Sequence, residues 1–582
     1  MNNAEVALIF DGIANMLEIK GEDSFRVLSY RRVARTVGDL TTDINEVTTR
    51  GELAELPGVG KASAQKIQEL LATGRLPLYE QLCAEVPQTL LELLEIPSVG
   101  PKKIHQLWKE CGVTSVAELK ACIAAKKLAG LKGFGEKTIQ AIVRGIEFRE
   151  SSAGRAKNGD ALYIALGLLD GVRAMPGVQR AEYAGSLRRG RETVGDVDLL
   201  CATASAADGE RIVRAFAKLP VVVEVLAAGG TKASVRVPLE RGRTLQVDLR
   251  AVPAESFGAA WQYFTGSKEH NVRLRELAQK RGWTLNEYGL TEVTTKRVVA
   301  AASEEKIYAA LGLPWIPPEL REARGEFDEP IPADLLRLED IRGDLHVHTV
   351  ASDGRNTIAE MAAAAQACGY EYICITEHSP SSIIANGLKT EQLREHIRAV
   401  REAGRAAGLT VWVGTEVDIL PGGRLDYPDE LLAELDFVIA SIHAGMTRDR
   451  ATNTQRTLAA IENPYVNCIG HPTGRIINER EAMPLDMEAV ARAAARTGTA
   501  LEINASYHRL DLKDQHVRLA RNVGATVCIC TDAHSTGGYE EMHFGVTTGR
   551  RGWLRRSDVL NTRPAAEVAA FVAQKRRVAA AG

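Results

Sequence analysis

The stretch GDLHVHT (residues 343–349) opens the half of the chain whose fold the sequence indicates most strongly. Six further strand-like segments follow it, mostly separated by Ala-rich helical patterns such as IAEMAAAAQACG: YICITEH, VWVGTEV, FVIASIH, VNCIGH, ALEIN and TVCICTDAH. Repeated alternation of strands and helices is typical of a parallel sheet or closed barrel with functional groups at the carboxyl ends of the strands. The pattern therefore predicts a domain of seven strands.

Histidines concentrate at the ends of these strands, since ten of the twelve in the chain lie beyond residue 340. Together with nearby carboxylates they give a predicted ligand set of His346, His348, Asp353, His378, Glu416, His443, His471, Asp532 and His534. One histidine at a strand end is more often a structural residue, whereas six favour metal binding. Mixed imidazole and carboxylate donors suit Zn²⁺, Mn²⁺ or Fe²⁺ better than Mg²⁺ or Ca²⁺, so we predict a site for two or three such ions.

Farther upstream, GSLRRGRETVGDVDLL (residues 185–200) places Asp196 and Asp198 on one face of an apolar strand. Asp248 alternates with apolar residues in LQVDLR, so a neighbouring strand can bring it to the same place. Three clustered carboxylates are costly without a cation, and a pair of Mg²⁺ ions about 3.5 to 4 Å apart suits phosphoryl transfer. A lone Asp-x-Asp is usually surface charge; the third aspartate favours a metal site.

A Gly-Ser turn precedes these aspartates and, with Arg188 and Arg189, offers donors to a triphosphate. GSLRRG, GDVD, VDLR and YFTGSKEHN (residues 263–271), taken in this order, resemble the X-family DNA polymerases. The resemblance implies that Asp196 and Asp198 bind both metals and the triphosphate, whereas Asp248 binds the catalytic metal and helps to activate the primer 3′-hydroxyl. It also implies phosphate contacts from Gly185, Ser186, Arg189 and Gly195, sugar contacts from Tyr263, Phe264 and Gly266, and minor-groove contacts from Asn271 and Arg275.

The first 150 residues repeat one unit three times, as LAELPGVGKASAQKIQELL, LLEIPSVGPKKIHQLW and LAGLKGFGEKTIQAI. Each copy has a tight turn before a helix, where backbone N–H groups and lysines can approach a phosphate. The predicted DNA-binding residues are Gly58, Gly60, Lys61, Gly100, Lys102, Lys103, Gly133, Gly135 and Lys137. One copy is equally typical of an ordinary helical connection, but three copies favour DNA binding, and the segments resemble helix-hairpin-helix motifs.

Two further residues have roles that the sequence leaves open. In the X family a lysine after the first hairpin forms a Schiff base with an abasic-site sugar, and Lys66 matches that position, with Tyr30 at another family position. Ala62 stands where the family has a phosphate-binding lysine, so an ordinary DNA contact competes with a lyase nucleophile as the role of Lys66. Tyr263 is expected either to block a 2′-hydroxyl or to pack in a core.

The strands and histidines of the second half closely resemble the polymerase and histidinol phosphatase (PHP) domain, a distorted seven-stranded barrel with a trinuclear metal site. This resemblance implies phosphoester hydrolysis by metal-activated water. It makes Arg475 and Asn504 candidates for substrate or ligand-supporting roles, and Glu377, where many relatives carry Asp, a neighbour of the ligands. The order of the two halves resembles bacterial and archaeal X-family polymerases with a C-terminal PHP domain.

The predicted fold class is multidomain, α+β and α/β. The predicted domains are an N-terminal helical, lyase-like domain with the first hairpin (1–80), a fingers-like helix-hairpin-helix domain (81–152), a palm nucleotidyltransferase domain (153–252), a thumb (253–315), a linker (316–342) and a PHP metallo-phosphoesterase domain (343–582). The expected cofactors are Mg²⁺ or Mn²⁺ in the polymerase site and Zn²⁺ and/or Mn²⁺, three ions in all, in the PHP site. The expected partners are gapped or primer-template DNA, dNTP and other repair proteins.

Composition constrains the setting but not the activity. The net charge of −3, from 72 Lys+Arg and 75 Asp+Glu, means that any DNA-binding surface is local. No apolar run reaches the length of a membrane span and no signal peptide is recognisable, so we expect a cytoplasmic, nucleoid-associated protein without membrane contact. Nine cysteines without Cys-x-x-Cys predict no disulfide framework.

Three functional hypotheses follow. The first is a DNA polymerase that fills gaps in base excision repair, with a PHP 3′-5′ exonuclease that processes DNA ends and sometimes an abasic-site endonuclease, lyase or 3′-phosphatase activity. The second is mainly an end-processing nuclease with a DNA-targeting, weakly polymerising front half. The third is an end-bridging scaffold in which both sites are relics.

Overall fold

The computed structural model describes residues 1, 3–38, 40, 43–87, 89–96, 99–152 and 154–581. The chain forms two compact units, Met1–Ala153 with Asn478–Arg480 and Gly154–Ile477 with Glu481–Gly582. Within the described ranges, no α-helix is both long and apolar enough to cross a membrane. All nine cysteines are free thiols, as the sequence predicts.

The first unit is helical, in agreement with its sequence pattern. Its described α-helices are Asn3–Lys20 (α1), Ser24–Gly38 (α2), Ile44–Arg50 (α3), Lys61–Thr73 (α4), Pro77–Glu85 (α5), Thr89–Glu92 (α6), Pro101–Cys111 (α7), Val116–Ala124 (α8) and Glu136–Ser152 (α9). Apolar side chains from successive helices, among them Phe10, Ile67 and Ile104, are fully buried in one continuous core. The unit therefore holds its helix-connecting turns on a common, rigid support.

The second unit begins with a palm-like sheet. Its elements are Ala156–Lys157 (β1), Asn158–Arg173 (α10), Val178–Tyr183 (β2), Gly185–Arg188 (α11), Thr193–Val194 (β3), Asp196–Thr203 (β4), Ala206–Phe216 (α12), Glu224–Gly229 (β5), Lys232–Pro238 (β6) and Thr244–Pro253 (β7). Five strands pair in the order β2-β4-β7-β6-β5, with β4 parallel to β7. Along β7, buried residues alternate with partly exposed ones as the sequence predicts, so alternate side chains share the exposed face.

A thumb-like set of helices and a small sheet follows the palm. Its elements are Phe257–Thr265 (α13), Lys268–Gln279 (α14), Trp283–Asn286 (β8), Gly289–Glu292 (β9), Val298–Ala300 (β10) and Glu304–Ala310 (α15). The three strands are antiparallel in the order β10-β9-β8. Leu274, Leu290 and Ile307 are buried in their common core.

Residues 316–342, predicted as a linker, are packed rather than loose. Ile316, Leu320 and Leu336 are buried, because apolar residues stand between the prolines that suggested a loop. Arg321 is completely buried and donates two hydrogen bonds to Glu304, of 2.7 and 3.1 Å. The segment is therefore a structured connector that continues the core of the thumb.

The last part of the chain is a parallel barrel. Its elements are Gly343–Val347 (β11), Ile358–Ala367 (α16), Tyr372–Ile375 (β12), Thr390–Ala406 (α17), Thr410–Asp418 (β13), Asp429–Leu432 (α18), Phe437–Ser441 (β14), Arg450–Glu462 (α19), Cys468–Ile469 (β15), Met487–Thr497 (α20), Ala500–Asn504 (β16), Asp514–Asn522 (α21), Val527–Cys530 (β17), Met542–Arg551 (α22) and Ala565–Ala581 (α23). The seven strands pair in sequence order from β11 to β17, all parallel. A bridge between Val347 and Ala533 nearly closes the barrel. The prediction of seven strands is confirmed.

Candidate functional site

The palm sheet brings the three predicted aspartates together. Asp198 on β4 lies directly opposite Asp248 on the parallel strand β7, and Asp196 is on the same face two residues earlier. Burial and the nearby carboxylates of Asp196 and Asp248 raise the pKa of Asp198 to about 7. Such mutual repulsion is the electrostatic condition that a bound divalent cation relieves.

Gly185 allows the chain to pass close to this carboxylate cluster. It opens the short helix α11 with a positive φ of +63°, and a Cβ at this position would overlap Oδ2 of Asp198. The preceding residue, Ala184, donates its N–H to the Asp198 carbonyl at 2.8 Å. The Gly-Ser turn predicted to bind phosphate is therefore held directly beside the aspartates.

Lys232, which sequence reasoning missed, supplies a positive charge in this cluster. Its Nζ lies 2.6 Å from Oδ2 of Asp248, while Gln246 donates a hydrogen bond to Oδ1 at 3.0 Å. Burial acts to raise the pKa of Asp248, but these donors outweigh it and hold the pKa below its ordinary value. Only the pairing of β6 with β7 shows this contact, since nothing in KASVRV marks the neighbouring strand.

The repulsion around Asp198 predicts a stability change. Because its folded-state pKa of about 7 lies above the ordinary 3.8, the folded chain loses stability as the pH rises through this interval. We expect Asp196→Asn to raise the melting temperature in EDTA at about pH 8 by about 2 °C, and by less at about pH 5, where Asp198 stays protonated.

Differential scanning fluorimetry measures this effect. Asp170→Asn is a matched control, because that aspartate is 79% exposed on α10. Equal shifts for the two variants would contradict the role of repulsion. Saturating Mg²⁺ should remove the advantage of Asp196→Asn, since the wild-type cluster then gains a compensating cation.

The prediction that Arg188 donates to a triphosphate is wrong, because its guanidinium is already engaged within the protein. Its guanidinium donates hydrogen bonds to both carboxylate oxygens of Glu304, at 2.7 and 2.8 Å, and to Thr265 Oγ1 at 2.7 Å. The same group lies 3.4 Å from the ring centre of Trp261. Arg188 therefore ties α11 to the thumb helices α13 and α15.

Arg189 lies beside the phosphate turn but is engaged by the connector. Its Nε donates to Glu322 Oε1 at 3.0 Å, and Nη1 donates to the carbonyl of Thr265 at 2.6 Å. Gly266 passes close to it, since a Cβ there would lie 3.1 Å from Nη1 of Arg189. An anion therefore reaches Arg189 in competition with Glu322.

Four of the other predicted nucleotide contacts lie on α13 and α14. The Tyr263 ring meets that of Phe264 edge to face, with ring centres 5.2 Å apart, and both are partly exposed. Asn271 is almost buried and donates to the Tyr263 carbonyl at 2.7 Å, which fixes the backbone of α13. Arg275 is exposed and donates to the Asn271 carbonyl at 3.4 Å. Of the remaining two, Ser186 is on α11 and Gly195 immediately precedes β4.

The nine predicted ligands of the barrel gather at the carboxyl ends of its strands. Eight of them form three overlapping groups, each with donor atoms within 4.8 Å of one another: His348, Asp353, His378 and His534; His346, His348 and Asp532; and His378, Glu416 and His443. His471 completes the set, with Nε2 at 2.8 Å from Glu416 Oε1. We call these nine residues the PHP cluster.

Two carboxylates bridge the PHP cluster from its centre. Asp532 Oδ1 lies 3.1 Å from His348 Nε2 and 3.4 Å from His346 Nε2. Glu416 is buried, and its Oε1 lies 3.2 Å from His443 Nε2. Carboxylates surrounded by imidazoles in this way are typical of multinuclear sites for transition metals.

Unsatisfied polar atoms support metal binding by this cluster. His346 Nε2, both ring nitrogens of His348, Glu416 Oε2 and Asp532 Oδ1 are buried without a hydrogen-bond partner. Leaving such atoms unpaired is costly, and coordination of cations removes that cost. The donor set therefore fits bound divalent ions.

Protons and metal ions compete for the cluster. Burial acts to lower the pKa of His443, but Glu416 and Asp418 raise it to about 10. Burial and the adjacent imidazoles of His534 and His378 lower the pKa of His348 to about 3. Both rings contact that of His378, with ring centres 4.4 Å apart for His348 and 5.4 Å apart for His443, so a charge at one position acts on the others.

Two acidic residues that sequence reasoning missed orient the ligands. Glu502 Oε1 lies 2.7 Å from His346 Nδ1, and Asp418 Oδ1 lies 3.0 Å from His443 Nδ1. Each stands two residues from a residue already selected, since Glu502 precedes Asn504 in LEIN and Asp418 follows Glu416 in TEVD. The rule that residues two apart on a strand share a face is the sequence signal that could have identified both.

Removing one of these supports should weaken metal binding. We expect Glu502→Gln to lower the affinity for the most tightly held ions by about 10- to 100-fold, because His346 loses the carboxylate that orients its ring. Metal content after dialysis against a weak chelator, measured by mass spectrometry, tests this. Glu488→Gln on the exposed face of α20 is the control, and equal metal loss in both variants would argue against the orienting role.

The three accessory residues have distinct positions. Asn504 donates to Asp532 Oδ2 at 3.0 Å and so contacts a ligand. Glu377 accepts hydrogen bonds from Thr349 and Ser352 and holds the loop after β11. Arg475 is paired with Glu192 at 2.8 Å, so a substrate phosphate would reach it in competition with that carboxylate.

The hairpins of the first unit share one geometry. In each, a buried apolar residue donates its N–H to the carbonyl three residues earlier, as Val59, Val99 and Phe134 do at 3.0, 3.0 and 3.1 Å. Helices α4, α7 and α9 begin directly after Gly60, Gly100 and Gly135. Gly58 and Gly133 have positive φ values of +76° and +86°, whereas Pro97 and Ser98 lie outside the described residues.

The predicted lysines mark the starts of these helices. Lys61, Lys102 and Lys137 are exposed in the first turns of α4, α7 and α9, and Lys103 is partly exposed beside Lys102. Lys66 is partly exposed one turn into α4, and its Nζ donates to the Ala62 carbonyl at 3.4 Å. The structure therefore places Lys66 beside the first hairpin without enclosing it.

Comparison with known proteins agrees with this architecture. Family models match a helix-hairpin-helix domain at residues 1–76, a SAM-like helix-hairpin-helix tandem at 90–147, the DNA polymerase beta thumb at 260–322 and the PHP domain at 344–506. The thumb match extends beyond residue 315, the predicted end of that domain, into the packed connector.

Curated relatives cover both halves. The DNA polymerase/3′-5′ exonuclease PolX of Bacillus subtilis (strain 168) is 37% identical over 574 residues, 98% of this chain and 99% of that protein. DNA polymerase lambda of Rattus norvegicus is 25% identical over 351 residues, 55% of this chain and 56% of that protein. A probable phosphatase of Caldicellulosiruptor bescii is 34% identical over 203 residues, 33% of this chain and 79% of that protein. Because similarity at 37% identity spans nearly the whole chain, and thumb and PHP models match within it, the chain belongs to the X-family DNA polymerases that carry a PHP domain.

Proposed function

We propose that this chain fills short gaps in DNA by two-metal phosphoryl transfer in the palm and shortens 3′ ends at the PHP cluster. The observation that carries the proposal is the presence of two separate clusters of metal-binding side chains in one chain, the aspartates on β4 and β7 and the PHP cluster on the barrel. Each has the donor chemistry that phosphate transfer requires. The setting would be base excision repair in the cytoplasm, at the nucleoid, with other repair proteins as partners.

In the palm, the proposed metal ligands are Asp196, Asp198 and Asp248, with Mg²⁺ or Mn²⁺ as the ions. Asp248 would help to activate the primer 3′-hydroxyl, and Lys232 pairs with this carboxylate at 2.6 Å. The turn at Gly185 and Ser186, together with Gly195 and Arg189, would hold the triphosphate. Tyr263, Phe264, Gly266, Asn271 and Arg275 would line the nucleotide.

At the PHP cluster, the nine ligands would hold three ions, Zn²⁺ and/or Mn²⁺. Such ions, when bound, activate water and neutralise phosphate charge. Glu502, Asp418 and Asn504 keep His346, His443 and Asp532 oriented, so that the phosphodiester meets a fixed set of charges. This arrangement supports 3′-5′ exonuclease activity and accommodates abasic-site endonuclease or 3′-phosphatase activity.

In the first unit, the hairpins would bind the DNA backbone without reading sequence. Each lysine that contacts a phosphate contributes about 0.9 to the slope of log K against log salt. We expect the triple variant Lys61→Ala, Lys102→Ala and Lys137→Ala to lower the slope by about 2 to 3, as measured by fluorescence anisotropy with gapped DNA. Arg50→Ala is the control because its side chain pairs with Glu46 on the exposed face of α3. An unchanged slope would contradict the phosphate contacts.

For Lys66 we propose an ordinary DNA contact. A lyase nucleophile requires a neutral amine, which burial or nearby cations supply. The partial exposure of Lys66 and its hydrogen bond to Ala62 favour the simpler role.

The test of the proposed function uses a labelled primer at a one-nucleotide gap, with Mg²⁺ or Mn²⁺. Extension by one nucleotide with dNTP, and shortening without dNTP, are expected from the same protein. A chain that does neither under any metal condition would overturn the proposal and favour the scaffold hypothesis.

Internal contacts in the palm favour one alternative, that the chain is mainly an end-processing nuclease. Asp248 is paired with Lys232, and Arg189 is paired with Glu322, whereas several PHP ligand atoms have no partner. Under this alternative the same gap assay gives rapid shortening and extension that is slower even at saturating dNTP.

A further inference from the structure

Two isoleucine side chains are exposed to solvent on a loop next to the PHP cluster. Ile383 and Ile384 are 82% and 79% exposed, and among the described large apolar residues only Phe25, also at 79%, is as exposed as Ile384. Val350, in the loop that follows β11, is 56% exposed. Exposed apolar side chains that cluster near a site commonly mark a contact surface.

The loop that carries the isoleucines is anchored directly to the cluster. Ser382, the residue before Ile383, donates to Asp418 at 2.7 Å and lies 3.4 Å from the ring of the ligand His443. At the other end of the loop, the N–H of Leu388 donates to the carbonyl of the ligand His378 at 2.8 Å. The exposed tip is therefore fixed at both ends relative to the ligands.

The same loop is joined to the loop that carries Val350. Asn386 Nδ2 donates to the carbonyl of Ser352 at 3.2 Å, and Ser352 in turn hydrogen bonds to the buried Glu377. The anchoring contacts are polar and internal, whereas the two isoleucines make none of them. The two isoleucine side chains are therefore exposed on a loop that is anchored at both ends. They form an apolar edge that a substrate can contact.

The loop that carries the isoleucines borders accessible ligands of the cluster. His346 and His348 are fully buried, whereas the accessible ligands are His443, Asp353 and His534, with side chains 24%, 30% and 36% exposed. His443 is the ligand that Ser382 contacts. A DNA strand that reaches the ions past His443 would bring its last bases next to the isoleucines.

We propose that Ile383 and Ile384 form an apolar wedge that separates the last base pair of a DNA duplex as its 3′ end enters the PHP cluster. Isoleucine is among the side chains that proteins insert between base steps, where they unstack neighbouring bases. The segment SPSSIIANGL (residues 379–388) has no charged side chain, so its chemistry suits bases rather than phosphates. This inference rests on the proposed exonuclease function and assigns the ability to process paired ends to two residues that bind no metal.

The test compares paired and unpaired ends. The variants are Ile383→Ser/Ile384→Ser, the conservative Ile383→Leu/Ile384→Leu, and the control Val223→Ser, an apolar residue 59% exposed just before the palm edge strand β5. The same labelled strand is used in two forms, alone and annealed to a complement that pairs its 3′ end. Both reactions contain Mn²⁺ and no dNTP. A single-stranded end has no base pair to open, so a wedge should affect only the paired substrate.

The expected result is selective. The serine variant should shorten the paired end at least fivefold more slowly than wild type and the single strand within twofold, whereas the leucine and Val223→Ser variants match wild type. Equal slowing of both substrates would overturn the wedge. No slowing of either substrate would also overturn it and would leave the patch as a protein-docking surface. If wild type shortens neither substrate, the proposed exonuclease itself fails.

A second readout does not depend on hydrolysis. With 2-aminopurine at the paired 3′ terminus and Mn²⁺ present, wild-type binding should raise fluorescence as the base unstacks, recorded by stopped flow before shortening begins. The serine variant should give less than half of that rise at equal DNA occupancy. The same rise in both proteins would contradict the wedge, because the palm site is unchanged between them.

Discussion

Asp248→Ala is expected to reduce nucleotide addition by at least about 10³-fold, equivalent to about 4 kcal/mol of transition-state stabilisation. Asp248 lies directly across from Asp198, so its removal takes away one side of the carboxylate cluster. It also leaves Lys232, 2.6 Å from Oδ2 in the wild type, without its partner. Single-turnover extension of a gapped primer with Mg²⁺ measures the loss.

The control for this variant is Asp208→Ala, which removes an aspartate from the first turn of α12 in the same domain. It should extend primers at the wild-type rate. Shortening of 3′ ends by Asp248→Ala should stay within twofold of wild type, which also shows that the protein is folded. If Asp248→Ala still extended primers, the palm aspartates would not be the centre of nucleotide addition.

His348→Ala is expected to have the reverse effect, with 3′ shortening lowered by at least about 10³-fold and extension unchanged. His348 belongs to two of the three overlapping donor groups, so one substitution weakens two ion sites. Its ring is fully buried and lies 4.4 Å from the ring of His378 and 4.3 Å from that of His534, measured between centres. Denaturing gels of a labelled 3′ end with Mn²⁺ measure the loss.

His543→Ala is the matched control, since His543 lies on α22 of the same domain and in none of the three donor groups. It should shorten ends as wild type does. If His348→Ala retained shortening while losing bound metal, the hydrolytic centre would have to lie elsewhere in the chain.

The barrel and the clustering of its nine candidate ligands were predictable because the same sequence pattern recurs at successive strand ends. Each ligand stands at or just beyond the end of an apolar run, and parallel strands bring such ends together. The same reasoning on strand faces placed Asp196, Asp198 and Asp248 together before their register was known. The spacing of apolar residues, and the positions of polar residues along the strands, were therefore enough to predict most of this fold.

What the sequence concealed are contacts between distant segments. Arg188 resembles a phosphate ligand in GSLRRG, yet it pairs with Glu304, 116 residues away. Residues 316–342 resemble a linker by their prolines, yet Arg321 in that segment is completely buried against the same Glu304. An arginine is equally suited to an anion in solution and to a buried carboxylate, so only tertiary structure decides between them.

The central claim is that one chain holds two independent centres, one that adds nucleotides and one that removes them. A primer that ends in a dideoxynucleotide tests it, because extension requires prior removal of the terminal residue. Neither Asp248→Ala nor His348→Ala alone should extend this primer when dNTP and Mn²⁺ are supplied. A mixture of the two variants should trim and then extend it, whereas a mixture that yields no extended product would contradict the independence of the two centres.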